Sequence, residues 1–424
     1  MEVIQNWRQV LCVAATMGGL GLRSGAADPA PAITLTRANE NVVIQFTGTL
    51  QSADALSGPW TDLAPAISPY TNAAAGSQRF YRTRQPASGG VFAGTSIVAW
   101  TLTGPLQRHF ELAFAGLPDG FFPPKRVKPY FDGALKMGAS ELQVQLRVRG
   151  NSSLQECPFP KLKVKISPEQ RAGTPFADAR EIKIGTHCAE GGFGNIGRLR
   201  DERATFREAL AYEAMTALGF AGPRVRRARI DFHDTSPTNG VSEVGWALDR
   251  QAMILDDADV VAERLGGRAL DDAEITALTR AGFSPQLITD LRCFHALLGN
   301  WDFALSEDGA GLGNTDVIEL PNGQLLPIAG DFDLSSWVTG LPRAVAPRDY
   351  HPEWPALERE TRYALEQIQR AVPAPLLAAA RDRFAAKRTA LEALIGAAEI
   401  DEPGRANARD HVAAFFTALA ALGN

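Results

Sequence analysis

Hydrophobic and polar positions alternate along much of the first half of the chain and take helical spacing in the second half. Residues 142–148 and 161–166 each alternate apolar with polar side chains, which is typical of strands with one buried face. Helical spacing predicts a helix over 202–218, and helices prevail from Asp271 onward, interrupted by a β-rich segment over 317–334. This order predicts an α+β fold, with a β-rich first part and a helical second part.

The N-terminal residues differ in pattern from the rest. Residues 1–32 combine a positive charge, an apolar run and small residues suited to cleavage, which indicates an export signal. Residues 33–85 contain short β-branched runs, and their Leu-Gln-Ser, Gly-Pro-Trp and Phe-Tyr-Arg landmarks resemble a small β-sandwich module of secreted bacterial proteins. The predicted domains are an export segment (1–32), a small all-β module (33–85), a linker (86–94) and a large domain (95–424), with a β-rich lobe over about 95–256 and a helical lobe over about 257–424.

Composition narrows the class of protein. The 424 residues are 45% hydrophobic and 21% charged, as in a globular protein with a buried core. A net charge of -5 argues against a nucleic-acid-binding function, which requires a basic surface. No segment beyond the export signal reaches the roughly 18 consecutive apolar residues of a membrane span. We therefore expect a secreted, periplasmic or cell-surface protein with no membrane span in the mature chain.

Three cysteines lie beyond the export signal. Cys157 and Cys188 lie among polar loop residues, and an exported chain permits a disulfide, so we expect these two to form one. Cys293 lies in an apolar helical stretch and is expected to be a buried thiol. The alternative is that all three are free, buried cysteines.

An ordered set of carboxylate and amide residues carries the candidate chemistry. Asp302 follows an apolar helix, Asn314 lies in a glycine-rich loop, and Asp331 and Asp333 follow an apolar strand. Phosphoryl transfer needs a carboxylate that orients the attacking hydroxyl, hard oxygen ligands for a divalent metal, and a lysine on the phosphates. The alternative is that each residue is only a turn or N-cap residue.

Other catalytic patterns fit poorly. Residues 192–197 match G-x-G-x-x-G, but six residues separate them from the preceding strand, and the following strand is too basic for a buried parallel sheet. This segment is a plain glycine loop or a loop that closes over phosphates. The sequence contains no G-x-S-x-G or H-E-x-x-H pattern, which disfavours a serine hydrolase or a zinc protease.

Residues 149–153, Arg-Gly-Asn-Ser-Ser, match the RGNSS signature of the spore-coat CotH kinase family. Strands with basic residues follow, as in that family, and the resemblance covers roughly residues 95–345. The later segments that resemble the family's helix and catalytic segments are residues 207–213, 300–302, Asn314 and 331–333. The resemblance implies a two-lobed kinase-like fold that binds ATP with Mg²⁺ or Mn²⁺ and phosphorylates an extracytoplasmic protein acceptor.

The resemblance also implies roles for individual residues in catalysis and metal binding. Asp302 would be the catalytic carboxylate, Asn314 and Asp331 would bind the metal, and Asp333 would be an accessory ligand.

For the nucleotide, the resemblance implies that Lys163 or Lys183 contacts the phosphates, paired with Glu208 or Glu213 on the following helix. Asp256 would end the strand that reaches the adenine edge.

Alternation itself offers a simpler interpretation of the charges. It predicts that Lys161 and Lys165 lie on the solvated face of their strand, and it leaves the same possibility open for Lys163 and for the helix glutamates.

Two departures from the family pattern leave two hypotheses open. Asp256 stands where the family usually has Glu, and Gly313 rather than His precedes Asn314. The first hypothesis is an active ATP-dependent kinase. The second is a catalytically silent surface or coat scaffold that keeps the fold. Convergence of Asp302, Asn314 and Asp331 opposite a lysine would favour the first.

Overall fold

A computed structural model of the chain places most residues beyond the N-terminal segment. The residues it describes are 33–38, 41–46, 49–54, 60–63, 70–73, 79–84, 90–114, 128–150, 161–186, 199, 201–236, 249–278, 282–305, 312–342 and 344–422. The chain divides into two compact units, one of residues 1–94 with 264–266 and one of residues 95–263 with 267–424. The whole is a mixed α/β structure with β-rich and helical regions.

The first unit contains short antiparallel strands. They are β1 (Ile33–Ala38), β2 (Asn41–Phe46), β3 (Thr49–Ala53), β4 (Thr61–Asp62), β5 (Tyr70–Ala73) and β6 (Phe80–Arg84). They pair as two three-stranded sheets, β1-β2-β5 and β4-β3-β6. Ile44, Leu50 and Tyr81 form the centre of a small hydrophobic cluster between them.

A closed barrel forms the β-rich part of the second unit. Its strands are β7 (Val98–Gly104), β8 (Phe131–Met137), β9 (Ser140–Arg149), β10 (Lys161–Lys165), β11 (Glu181–Gly185), β12 (Val225–Asp234) and β13 (Asp249–Asp256). They follow the order β10-β11-β13-β12-β7-β8-β9, and β9 pairs with β10 to close the barrel. The β7–β12 pair is parallel, and the other six pairs are antiparallel.

Strict alternation along the barrel strands separates an inner face from an outer face. Leu146 and Val148 of β9 and Leu162 and Val164 of β10 are buried inside. The intervening residues face outward, because successive side chains of a strand point to opposite faces. Lys161 is paired with Arg149 in the β9–β10 register, so these two side chains share the outer face.

Helices form most of the rest of the second unit. They are α1 (Leu106–Phe114), α2 (Pro168–Arg171), α3 (Ala204–Ala217), α4 (Ala258–Arg264), α5 (Asp272–Ala277), α6 (Pro285–Leu298), α7 (Ser336–Thr339), α8 (Ala356–Ala371), α9 (Ala374–Ala397) and α10 (Glu402–Ala421). Helix α3 is buried on nearly every side, as expected for a helix packed between two layers. In the part of the chain that the structure describes, no helix has the length and apolar character needed to cross a membrane.

Five short strands lie among the helices. They are β14 (Arg268–Ala269), β15 (Ala304–Leu305), β16 (Leu312–Gly313), β17 (Thr315–Glu319) and β18 (Leu325–Ala329). Strands β17 and β18 form a hairpin, with β14 beside β17. The chain leaves β18 at Gly330 and forms a 3-10 turn over Phe332–Leu334. The predicted β segment at 317–334 is therefore wrong at its end, because the residues after Ala329 form a turn.

Several sequence predictions correspond closely to these elements. The strands predicted at 142–148 and 161–166 and the helix predicted at 202–218 agree with β9, β10 and α3. Cys293 is buried and is a free thiol, and burial raises its pKa to about 12. The predicted export signal and the predicted Cys157–Cys188 disulfide lie outside the described residues.

Candidate functional site

A cleft of about 300 Å³ lies between the outer face of the barrel, helix α3 and the β17–β18 hairpin. Arg149 and Lys161 enter it from the barrel, Glu208 and Tyr212 from α3, and Asp331 from the segment after β18. The volume is at the lower end of the range for small-molecule sites, roughly 300–1,000 Å³. Most of the predicted site residues border this cleft.

Lys161 is the lysine that the structure places against the predicted metal-binding carboxylates. Its ammonium lies 3.4 Å from Asp331 Oδ1 and 3.8 Å from Asp333 Oδ2. Burial by itself would lower the pKa of Lys161, but Asp331, Asp333 and Glu208 together raise it above its ordinary value. Lys161 is therefore a permanent cation held among three carboxylates. The prediction that it is solvated is wrong, since only 9% of the residue is exposed.

Helix α3 presents two side chains to this lysine. Glu208 and Tyr212 are four positions apart, so they lie on the same face of the helix. Both are buried, and the Tyr212 hydroxyl accepts a hydrogen bond from the backbone N–H of Asp331 at 3.0 Å. Burial, followed by the charges of Glu208 and Asp331, raises the pKa of Tyr212 well above its ordinary value, which keeps the hydroxyl neutral. Tyr212 thereby fixes the backbone that carries Asp331.

Two site residues have left-handed backbone conformations. Asn314 has φ 54° and Asp331 has φ 56°, and the backbone N–H of Gly330 donates to the carbonyl of Asn314 at 3.0 Å. Side chains other than glycine adopt this conformation uncommonly, although Asn and Asp tolerate it best. Such residues persist where the surroundings fix them and are concentrated at functional sites. The β17–β18 hairpin therefore holds these two segments together.

Asp302 and Asn314 are joined directly. The Asn314 amide Nδ2 donates to the Asp302 carboxylate Oδ2 at 2.9 Å and to its backbone carbonyl at 2.8 Å. Since an amide nitrogen only donates, these contacts fix the orientation of the amide and leave Oδ1 as its acceptor. Asp302 itself is exposed. The structure thus brings two of the predicted residues into contact.

Behind Asp302 is a buried chain of hydrogen bonds. The backbone N–H of Asp302 donates to Asn300 Oδ1 at 3.1 Å, and Asn300 Nδ2 lies 3.1 Å from His295 Nδ1. Burial lowers the pKa of His295 to about 3, so it is a neutral imidazole, stacked on Phe303 with ring centroids 3.5 Å apart. Helix α6 ends at Gly299, whose φ of 56° lets the chain turn into this segment. The end of α6 therefore positions the predicted catalytic carboxylate.

Lys163 and Lys183 share a different carboxylate as their partner. Both contact the carboxylate of Asp257, with Lys183 at 2.9 Å. Lys163 also lies 3.2 Å from Glu181, and Lys183 lies 3.6 Å from Asp316. Burial opposes the charge of Asp257, but Lys183 and Lys163 lower its pKa well below its ordinary value. Of the two lysines predicted to contact phosphate, Lys183 lines the cleft and Lys163 does not.

Two further predicted carboxylates already have cationic partners. Asp256 lines the cleft, but its carboxylate accepts from Arg224 Nε at 2.9 Å and Nη2 at 3.0 Å. Glu213, the alternative to Glu208 as the lysine's partner, forms a two-point ion pair with Arg227 at 2.7 and 2.8 Å. Only Glu208 of the two glutamates therefore faces Lys161.

The donor set at the cleft suits a hard divalent cation. Asn314 and Asp331 line the cleft, and Asp333 lies 3.8 Å from the Lys161 ammonium. Their carboxylate and amide oxygens are of the kind that Mg²⁺ and Mn²⁺ prefer. The charged residues that line the cleft are the cations Arg149, Lys161 and Lys183 and the carboxylates Glu208, Asp256, Asp272, Asp316 and Asp331. Because carboxylates outnumber cations, a polyphosphate would need added positive charge to enter.

A second group of carboxylates lies apart from this donor set. Oxygens of Glu181, Asp257 and Asp259 lie within 4.8 Å of one another. Asp257 of this group is already bound by the ammonium groups of Lys163 and Lys183.

A second cavity of about 490 Å³ lies between α6 and α8, on the far side of the Asp302 segment. His295, Trp301 and Phe303 are among the residues that line it. Its described lining contains no carboxylate, so it lacks the charged oxygen ligands that Mg²⁺ prefers. The smaller cleft is therefore the better candidate for phosphate chemistry.

Sequence reasoning missed Lys161, Tyr212 and Asp257. The four-residue spacing from Glu208 to Tyr212 could have indicated that both face one site. Nothing in the local sequence distinguishes Lys161 from Lys163, because both occupy the same face of one strand. Asp257 follows the end of its strand and carries no signal beyond its charge.

Comparisons with known proteins give little further support. No protein-family model matches the chain, and no curated protein matches it. Among solved structures, the chain is similar to a proinflammatory kinase, CtkA, from Helicobacter pylori, at 9% sequence identity. The match covers 72% of this chain and 89% of the other, with a TM-score of 0.26. At this level of similarity, the activity must be argued from this chain's own residues.

Proposed function

We propose that this chain is an extracytoplasmic atypical kinase with a two-lobed fold, which transfers phosphate from ATP to a protein acceptor with Mg²⁺ or Mn²⁺. The observation that carries the proposal is the buried Lys161 ammonium, 3.4 Å from Asp331 and 3.8 Å from Asp333 and within the field of Glu208. A lysine near a helix glutamate and facing a metal-binding aspartate is part of the arrangement that protein kinases use for phosphoryl transfer.

The walls of the cleft also suit a nucleotide. Met253 and Leu255 of β13, together with Val261 and Ile328, offer an apolar surface for a flat base. The polar end, with Lys161 and Asp331, suits the phosphates and their metal. An apolar pocket with a few converging polar groups is the usual form of a small-molecule site.

Each residue has a definite role in the proposed reaction. Asp331, Asp333 and Asn314 Oδ1 would hold the divalent metal, which would neutralise charge on the phosphates when bound. Lys161 keeps Asp331 in place and adds a fixed positive charge. Asp302 accepts a hydrogen bond from Asn314, which holds the carboxylate ready to orient and take the proton of an acceptor hydroxyl. Its exposure suits a large acceptor such as a protein.

The test combines binding and transfer. Thermal shift with ATP plus Mg²⁺ or Mn²⁺ should raise the Tm of the wild type and not that of Asp331→Ala, since removing a metal ligand removes metal-dependent nucleotide binding. Phosphate should be transferred from labelled ATP to protein by the wild type and not by Asp331→Ala. Asp231→Asn is the matched control, because its carboxylate is 45% exposed against 49% for Asp331 and lies on β12. Equal behaviour of wild type and Asp331→Ala would refute the proposal.

The alternative function, a catalytically silent scaffold, is supported by the ion pair between Asp256 and Arg224 and by Gly313 in place of the family's histidine. It predicts that ATP and metal raise the Tm without any phosphate transfer. The two assays together therefore separate the two functions.

A further inference from the structure

Cations crowd the outer face of the barrel around the cleft, and nearly all of them have partners. Lys163 and Lys183 bind Asp257, and Lys161 lies against Asp331. Lys165 lies over the ring of Tyr130 at 5.6 Å. Two arginines of β9, Arg147 and Arg149, lie on the same face.

The two arginines of β9 differ in their surroundings. Arg147 stacks on the Tyr130 ring at 4.7 Å. Arg149, two positions further on, has the same outward direction but lines the cleft. Within the part of the chain that the structure describes, no carboxylate pairs with Arg149. By contrast, the buried Arg207 and Arg227 each have one, Asp401 and Glu213.

Arg149 stands beside another cation. It stands directly opposite Lys161 in the β9–β10 register, and like charges in such cross-strand positions repel. Its charge acts to lower the pKa of both Lys161 and Tyr212. Gly150 follows with φ 102°, a conformation suited to glycine, so the strand ends here. Two adjacent cations at a strand end, on the wall of a cleft, form a site that an anion would stabilise.

We infer that Arg149 binds the phosphate tail of the nucleotide. This inference rests on the proposed function. The ammonium of Lys161 already lies among carboxylates, whereas the guanidinium of Arg149 lacks one among the described residues. A guanidinium presents parallel N–H donors that match two phosphate oxygens at once. Lys161 then holds Asp331 in place, and Arg149 contacts the ligand.

The experiment measures binding to the full chain by calorimetry with Mn²⁺, using ATP, ADP, adenosine and inorganic tripolyphosphate as probes. Arg149→Gln should weaken ATP and tripolyphosphate about 10- to 100-fold, the effect of losing a charged hydrogen-bonded contact, and leave adenosine unchanged. The affinity of Arg149→Lys for ATP and tripolyphosphate should lie between those of the wild type and Arg149→Gln, because lysine keeps the charge and loses the two-point geometry. Arg147→Gln is the matched control and should bind every probe as the wild type does.

Folding provides a separate readout. Without ligand, Arg149→Gln should have a Tm equal to or above that of the wild type, since it removes repulsion with Lys161. A structural role for Arg149 would instead lower the Tm.

The outcomes separate this inference from the proposed function. If the wild type binds ATP and Arg149→Gln binds ATP and tripolyphosphate equally well, Arg149 is not the phosphate contact, and the proposed function stands. An equal loss for ATP and adenosine also overturns the inference. If the wild type binds no nucleotide, the proposed function fails, and the tripolyphosphate titration then tests the anion site alone. Tripolyphosphate binding that is present in the wild type and lost in Arg149→Gln supports an anion site at Arg149. Equal tripolyphosphate binding by the wild type and Arg149→Gln refutes it.

Discussion

Asp257 offers the sharpest test of the electrostatic arrangement around the barrel. Its carboxylate is 9% exposed and contacts the ammonium groups of Lys163 and Lys183, which are themselves 11% and 17% exposed. Replacing it with Asn removes the shared partner of two nearly buried cations. We expect this change to lower the free energy of unfolding substantially.

The magnitude follows from the remaining contacts. Removing one partner of a buried ion pair costs about 3–5 kcal/mol, because the other charge stays buried without compensation. Lys163 keeps Glu181 at 3.2 Å, and Lys183 keeps Asp316 at 3.6 Å. Since both lysines keep a second carboxylate, we expect about 3 kcal/mol, at the lower end of this range. The control is Asp316→Asn, where the carboxylate is half exposed and the expected loss is at most about 1 kcal/mol.

The pH dependence gives an independent check. The two lysines lower the folded-state pKa of Asp257 below its ordinary value of 3.8, so its contribution is fully present above about pH 5. As the pH falls further, the carboxylate becomes protonated first in the unfolded chain, and the contribution is lost by about 1.4 kcal/mol per pH unit. Urea unfolding of the wild type and Asp257→Asn, followed by circular dichroism from pH 7 to pH 3, should show a difference that is constant above pH 5 and shrinks below pH 4. A difference under about 1 kcal/mol at pH 7 would refute the reasoning.

Two further substitutions and one labelling experiment test other parts of the second unit. In the labelled-ATP assay, Lys161→Met should lower phosphate transfer about 10²- to 10³-fold, because it removes a fixed charge. Lys165→Met, on the same strand but exposed, should leave phosphate transfer unchanged. Tyr212→Phe should lower the free energy of unfolding by about 1–3 kcal/mol, because the backbone N–H of Asp331 loses its acceptor. Urea titration measures this free energy, and an unchanged value would contradict the hydrogen bond. Cys293 should react with a thiol reagent only after unfolding, since burial raises its pKa to about 12; labelling of its peptide in native protein, detected by mass spectrometry, would contradict its burial.

The sequence predicted strands and helices well where one face of an element is apolar. β9 and β10 were predictable because a period of two residues separates their inner and outer faces. The same pattern could not tell what covers the outer face. Lys161 was expected to be solvated, yet α3 and the turn after β18 bury it. Asp331 is 170 positions from Lys161, and no local pattern carries that contact.

The choice between the two glutamates of α3 shows the same limit. Glu208 and Glu213 are five positions apart, so at 100° per residue they point about 140° apart and cannot face the same lysine. The sequence therefore shows that only one of these glutamates can be the partner of the lysine. Which one does so depends on how the helix is rotated against the barrel. Arg227 of β12 takes Glu213, and that leaves Glu208 for Lys161.

The ion pairs of the barrel also limit which cations can bind a phosphate tail. A phosphate at Lys163 or Lys183 would have to displace the buried carboxylate of Asp257, which would then lose its partners in a poorly solvated site. A phosphate near Arg149 displaces no partner among the described residues and relieves repulsion with Lys161. The cost of binding is therefore lowest at the end of the β9–β10 pair, beside Asp331. For this reason we favour Arg149 as the phosphate contact over the two lysines that the sequence suggested.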